Sequence, residues 1–194
     1  MDIFLGICIG ISLSAACGLR VFVPPLVMSI AALSGHLTLS PGFEWIGSYE
    51  ALTAFAIATG IEVLGYYIPW VDHLLDMLAT PIAIATGTTI TAAFFSHSDP
   101  LLQWTVAVIA GGGSAGIVEG LTNITRLIST GTTGGIANPV LATIELVSSI
   151  ILSILGIIVP IFTVVLVAVL LGFGVTRFWV LRGRGSASAI APTE

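Results

Sequence analysis

Asp72-His73-x-x-Asp76 is the densest run of chemically capable side chains in the sequence. On a helix, Asp72 and Asp76 share one face and His73 stands beside them. Two carboxylates and an imidazole can ligate manganese, iron or zinc, and the oxygens alone suit magnesium. The spacing matches no established metal motif, so any metal stays unknown. The run also reads as the wet end of a helix, where the macrodipole stabilises Asp in the first turn. Three further acids (Glu62, Glu119, Glu145), two bases (Arg20, Arg126) and Asn138 lie in or beside apolar stretches. An ionisable group so placed faces a partner or a water-filled cavity. Glu62, Asp72, Asp76, Glu119 and Glu145 against Arg20 and Arg126 leave an excess of negative charge. Such an excess suits a proton- or cation-binding site, and the structural alternative is that the pairs only fix how helices dock.

Nucleophilic chemistry has less support. Gly112-Gly113-Ser114-Ala115-Gly116 fits the G-x-S-x-G pattern, but a nucleophilic serine needs a base within hydrogen-bond reach. His36, His73 and His97 all lie upstream and near loops. Helix packing explains these glycines better, so no catalytic residue and no cofactor are expected. Cys8 and Cys17 are nine residues apart, about 13 Å along a helix axis, too far for a disulfide with each other.

These side chains sit in a chain that little water could surround. Of 194 residues, 56% are hydrophobic and 8% charged, against roughly a quarter charged in soluble domains. Lysine is absent, and a formal charge of −5 with no basic run excludes a nucleic-acid partner. The partner is the lipid bilayer. The N-terminus has no basic region and an overlong apolar stretch, which makes it a retained membrane segment rather than a signal peptide.

A spanning helix needs about 20 mainly apolar residues. The stretch 3–33 is interrupted by Arg20 and Pro24-Pro25, which predicts a span to about residue 20 and a shorter helix from Pro25. A loop follows over 35–49, with Trp45 and Tyr49 as interface anchors. Further segments are predicted over 50–68, over 70–95 with Pro81 inside, and over 101–127. A Gly/Thr-rich connector covers 129–138, and Pro139 opens the next helix. The apolar run 140–181 is about twice the membrane thickness, so it folds back, with the break over 156–160. Arg177, Arg182 and Arg184 flank its end and put the C-terminus in the cytoplasm by the positive-inside rule. Residues 183–194 read as a disordered tail.

The glycines carry a repeat. Gly6-x3-Gly10-x3-Ser14 is followed by Arg20, and Gly112-x3-Gly116-x3-Gly120 by Arg126, at one constant offset. After an insertion, Pro25 to Ile30 corresponds to Pro139 to Ile144. Rows of small residues let membrane helices, or two copies of the chain, approach closely. Chance similarity of glycine-rich helices is the plain alternative. The sharper reading divides one transmembrane domain, 1–182, into related halves 1–100 and 101–182. Helices interrupted at corresponding places in two halves point to a transporter's central site.

With Gly18-Leu19-Arg20-x3-Pro24-Pro25, the run Pro69-Trp70-Val71-Asp72-His73-Leu-Leu-Asp76, and Gly134-Gly135-x2-Asn138-Pro139, the chain resembles the bacterial membrane family DUF4126, a domain of unknown function. The resemblance covers about residues 3–180 and implies a multi-pass inner-membrane protein. It brings no activity, ligand or site residue with it, so the functional reading rests on the charges.

The sequence thus predicts an all-α, polytopic transmembrane bundle of about six segments with broken or re-entrant helices. Its function reads as a transporter or channel for an ion or small polar solute, with a non-transporting membrane scaffold or assembly factor as the alternative. Glu62, Asp72, Asp76 and Glu119 are expected to gather with Arg20 and Arg126, and His73 to stand at the mouth. Scattered charges near helix centres would each cost about 2.5–3.5 kcal/mol.

Overall fold

The computed structural model of the protein describes residues 3–95, 99–172 and 176. Prolines open most of the helices. The chain forms α1 (Ile3–Cys17), α2 (Val23–Leu33), α3 (Tyr49–Gly65), α4 (Pro69–Phe94), α5 (Pro100–Val106), α6 (Gly113–Thr133) and α7 (Asn138–Ile158), then α8 (Pro160–Gly172). Pro24, Pro69, Pro100, Pro139 and Pro160 all fall in first turns, where a missing N–H costs nothing. Ser48 caps α3 by accepting from the Ala51 N–H at 3.1 Å, and Asp99 caps α5 through the Leu101 N–H at 2.9 Å.

Among the described residues, three helices are long and apolar enough to cross a membrane: Trp70–Phe94, Asn138–Ile158, and Pro100–Thr133, which runs unbroken through a π-helical stretch at Ala107–Gly112. Their surfaces fit that solvent. Ile144, Val147, Ile151 and Ile154 of α7 face outward. The opposite stripe of α7, Asn138, Ala142, Glu145, Ser149, Ser153 and Gly156, is buried. A bundle with small and polar residues inside and aliphatic side chains outside is an integral membrane protein, because lipid tails accept the aliphatics and helix contact satisfies the hydroxyls.

α1 and α2 have 15 and 11 residues, about 22 and 16 Å, short of a hydrocarbon core of about 30 Å. Their contacts with α7 show how they lie. Ser12 fills the space beside Gly156, the Ser149 hydroxyl donates to the Ala16 carbonyl at 3.0 Å, and Arg20 reaches Ala142. α2 then returns, so that Ala31 and His36 share a groove with Ile154, Ile157 and Ile158. The pair forms a hairpin along α7, and the turn between them holds Arg20 inside the bundle. α4 is the axis. α1 crosses it at Gly10 and Thr91, and α6 follows it antiparallel from Gly116 against Ile84 to Asn123 against Thr80.

One boundary differs from the sequence reading. The Gly/Thr-rich stretch expected to be a connector over 129–138 is helical as far as Thr133, and the turn shrinks to 134–137. Thr132 and Thr133 donate to carbonyls three or four residues back, which serves the helix as well as a turn. Gly134 and Gly135, at φ 64° and 86°, supply the left-handed end. The tail at 183–194 and the arginines 177, 182 and 184 lie outside the described residues.

Candidate functional site

The charged residues meet where α3 ends, α4 and α7 begin, and the α1–α2 turn dips in. Arg126, on α6, is the hub. Its Nη1 donates to Asp72 Oδ1 at 2.7 Å and lies 3.5 Å from Asp76 Oδ1. Its Nε donates to Glu145 Oε1 at 3.1 Å, and its Nη2 to Glu145 Oε2. The planar guanidinium makes this possible, since it can grip one carboxylate with two donors and still reach a second. Arg20 Nη2 donates to the Ala142 carbonyl at 2.8 Å and pairs with Glu145 Oε2 at 3.3 Å. Glu145 therefore ties both arginines together.

Tyr66, the residue after α3, lies against both cations, with the guanidinium carbons of Arg20 and Arg126 at 3.8 and 4.3 Å from its ring centroid. The aromatic face partly replaces the solvation that buried cations have lost. The sequence reading missed Tyr66. The available signal was its place four residues after Glu62 and just before the Pro69 break.

Asn138 extends the network. Its Nδ2 donates to Asp72 Oδ2 and to Thr130 Oγ1, both at 3.2 Å, while its Oδ1 has no donor among the described residues. The charge of Asp72 dictates this orientation, because an acceptor-only carboxylate requires the NH2 side of the amide. A pocket of about 310 Å³ opens over this group, lined by Tyr66, Tyr67, Asp72, Thr130, Asn138 and the Gly134-Gly135 turn.

The remaining expected residues are placed differently. Glu62 accepts from the Val21 and Phe22 N–H groups at 2.8 and 3.1 Å rather than from a guanidinium. These are the open donors ahead of α2, whose first turn is proline-rich, and an anion there is stabilised by the helix end. Glu119, only 4% exposed, makes no hydrogen bond or ion pair among the described residues and lies deeper. Asn123 pairs with Thr80 and Gly116 touches Ile84, so Glu119 between them is level with the middle of α4. It is within electrostatic reach of Asp76, Glu145, Arg126 and Glu62. His73 falls in the first turns of α4, and the expectation that it stands at the mouth rests on a side chain outside the described residues.

Among the described residues, no three of His, Cys, Asp and Glu are disposed to hold one metal ion. Ser114 donates to the Gly111 carbonyl at 2.9 Å, a helix contact. Cys8 and Cys17 are free and buried.

No curated protein and no solved structure matches the chain. Across residues 7–180, nearly its whole length, the sequence matches the family profile described as Domain of unknown function (DUF4126), and the chain belongs to that family.

Proposed function

We propose that the protein is a small membrane transporter or channel for an ion or a small polar solute, which enters through the pocket over Asp72 and Asn138. One observation carries the reading: a network of Asp72, Arg126, Glu145 and Arg20, buried in a bundle with an aliphatic exterior, reaches an open pocket through Asp72. Charges in such a place are costly to keep. A polar solute that enters the pocket meets a carboxylate and an amide already held in position.

The three arginines that follow α8 in the sequence support a cytoplasmic pocket end in a bacterial inner membrane, since α8 shares a groove with Ala15, Leu19 and Thr125. The internal duplication goes with this reading. Both glycine-bearing segments pack on α4, and both bring an arginine to Tyr66 and Glu145. Gly120, with no neighbour within 4 Å, is left for a second copy of the chain.

A specific observation favours the second reading, a non-transporting scaffold: Glu62 and Arg126 are satisfied within the protein itself. Purified protein in liposomes separates the two. Uptake of protons, read with a trapped pH dye, or of radiolabelled sodium, above that of empty vesicles, supports transport. Flux equal to empty vesicles across a panel of ions and small solutes supports the scaffold.

A further inference from the structure

A seam of polar side chains follows the α4–α6 contact well beyond the pocket. Above Arg126 and Asp76 come Asn123 and Thr80, joined at 3.1 Å, and then Glu119. Beyond Glu119, the Ser14 hydroxyl of α1 donates to the Gly87 carbonyl at 2.6 Å and lies 3.0 Å from Thr91 Oγ1. Thr88 is beside Gly112 there. At the far end Gln103 donates to the Ala92 carbonyl at 2.9 Å. The π-helical stretch Ala107–Gly112 lies in this upper part, and such stretches occur frequently at functional sites in helices.

Glu119 is the residue in the seam that the fold leaves unexplained. It is more than nine-tenths buried, has no partner among the described residues, and sits at mid-helix depth. The charged groups around it are Asp76 from α4, Glu145 from α7, Glu62 from α3 and Arg126 of its own helix. The α1–α2 turn brings the backbone of Gly18 against it. Three of those four neighbours are acids, so a lone carboxylate here calls for a cation.

The packing selects which cation. A Cβ on Gly111 would overlap the Gly87 carbonyl oxygen and the Thr91 side chain, and one on Gly18 would lie 2.5 Å from the Ala115 carbonyl. Helices in such contact leave no bore for a metal ion with its ligands, whereas a proton needs only one oxygen. Resting on the reading of the chain as a transporter, we infer that Glu119 is a mid-membrane proton-binding site, loaded from water at the Asp72 pocket and discharged along the hydroxyl seam. In each cycle a hydronium ion at the pocket gives up one O–H bond as its proton bonds to a carboxylate oxygen of Glu119. That new O–H bond then breaks as a water on the other side takes the proton and becomes hydronium.

The test is proton flux into liposomes under a potassium diffusion potential, read with trapped pyranine, for the wild type, Glu119→Gln and Glu119→Asp. The inference expects wild-type flux above empty vesicles, loss to the empty-vesicle level in Glu119→Gln, and retained flux in Glu119→Asp. Wild-type flux in Glu119→Gln overturns it and leaves transport standing. Sodium or solute uptake without proton flux in the wild type does the same. Absence of every flux removes both readings. Should Glu119→Gln fail to fold, infrared difference spectra of the wild type between acid and alkaline buffer decide. A protonated-carboxyl C=O band that moves in Glu119→Asp supports the site, and a spectrum with no such band, or a band unmoved in Glu119→Asp, overturns it.

Discussion

Arg126 holds carboxylates from two other helices, Asp72 and Asp76 of α4 and Glu145 of α7. Removing one partner of a buried pair costs more than the pair contributes, because the rest are left charged and unpaired. Arg126→Met should therefore lower stability by about 3–5 kcal/mol, read as a fall in melting temperature in detergent. Adding Asp72→Asn and Glu145→Gln should recover part of it, and a triple variant no more stable than Arg126→Met would refute this account. Tyr66 acts through its ring, since no hydrogen bond is made by its hydroxyl among the described residues. Tyr66→Phe should be nearly silent in the same assay, whereas Tyr66→Leu should lose about 1–2 kcal/mol, the scale of desolvated cation–π contacts. Asp72, Asp76, Arg20 and Arg126 were named as members of one group from their cost in a membrane, whereas the place of Glu145 between the two arginines was not foreseen. Nor was the capping role of Glu62, because it depends on where the α1–α2 turn lands.

At the scale of elements, the glycine rows differ in what they touch. A Cβ on Gly111 meets the backbone of α4, whereas one on Gly116 meets only the branches of Ile84, at 3.1 and 3.2 Å. A half-exposed isoleucine can turn aside, and a carbonyl in a helix cannot. Gly111→Ala should therefore lower the melting temperature clearly more than Gly116→Ala, and the reverse order would show that α4 and α6 are not in this register. Even Gly116→Leu, which inserts several atoms against Ile84, should act on docking rather than on chemistry. Helix starts could be read from the sequence because prolines fix them locally. The π-helical stretch and the continuation of α6 to Thr133 could not, since both are decided by contacts with α4 and by threonine hydroxyls returning to their own helix.

For the molecule as a whole, the arrangement of its two ends follows from one chain of contacts. Gly156 beside Ser12, Ser149 on Ala16 and Glu145 on Arg20 set α1 antiparallel to α7, and the α2–α7 groove brings α2 back. The turns at 66–68 and 134–137 then share one end with the pocket, while the loop 34–48 shares the other with the end of α4, where Ser40 N–H donates to the Ala93 carbonyl at 2.8 Å. The sequence suggested a broken first segment but not its direction, because prolines mark a break without saying which way the chain leaves it. The proposed orientation, taken from the arginines that follow α8 in the sequence, puts the pocket on the cytoplasmic side. A cysteine placed at Ile136, 85% exposed in the pocket-side turn, should react with a membrane-impermeant maleimide in inside-out vesicles and not in intact spheroplasts. One placed at Tyr49, 75% exposed at the opposite end, should show the reverse. Cys8 and Cys17 are buried and should stay silent in both. Labelling of both sites from the same face would break the parallel order of α3 and α6, and labelling with the two faces exchanged would turn the pocket outward.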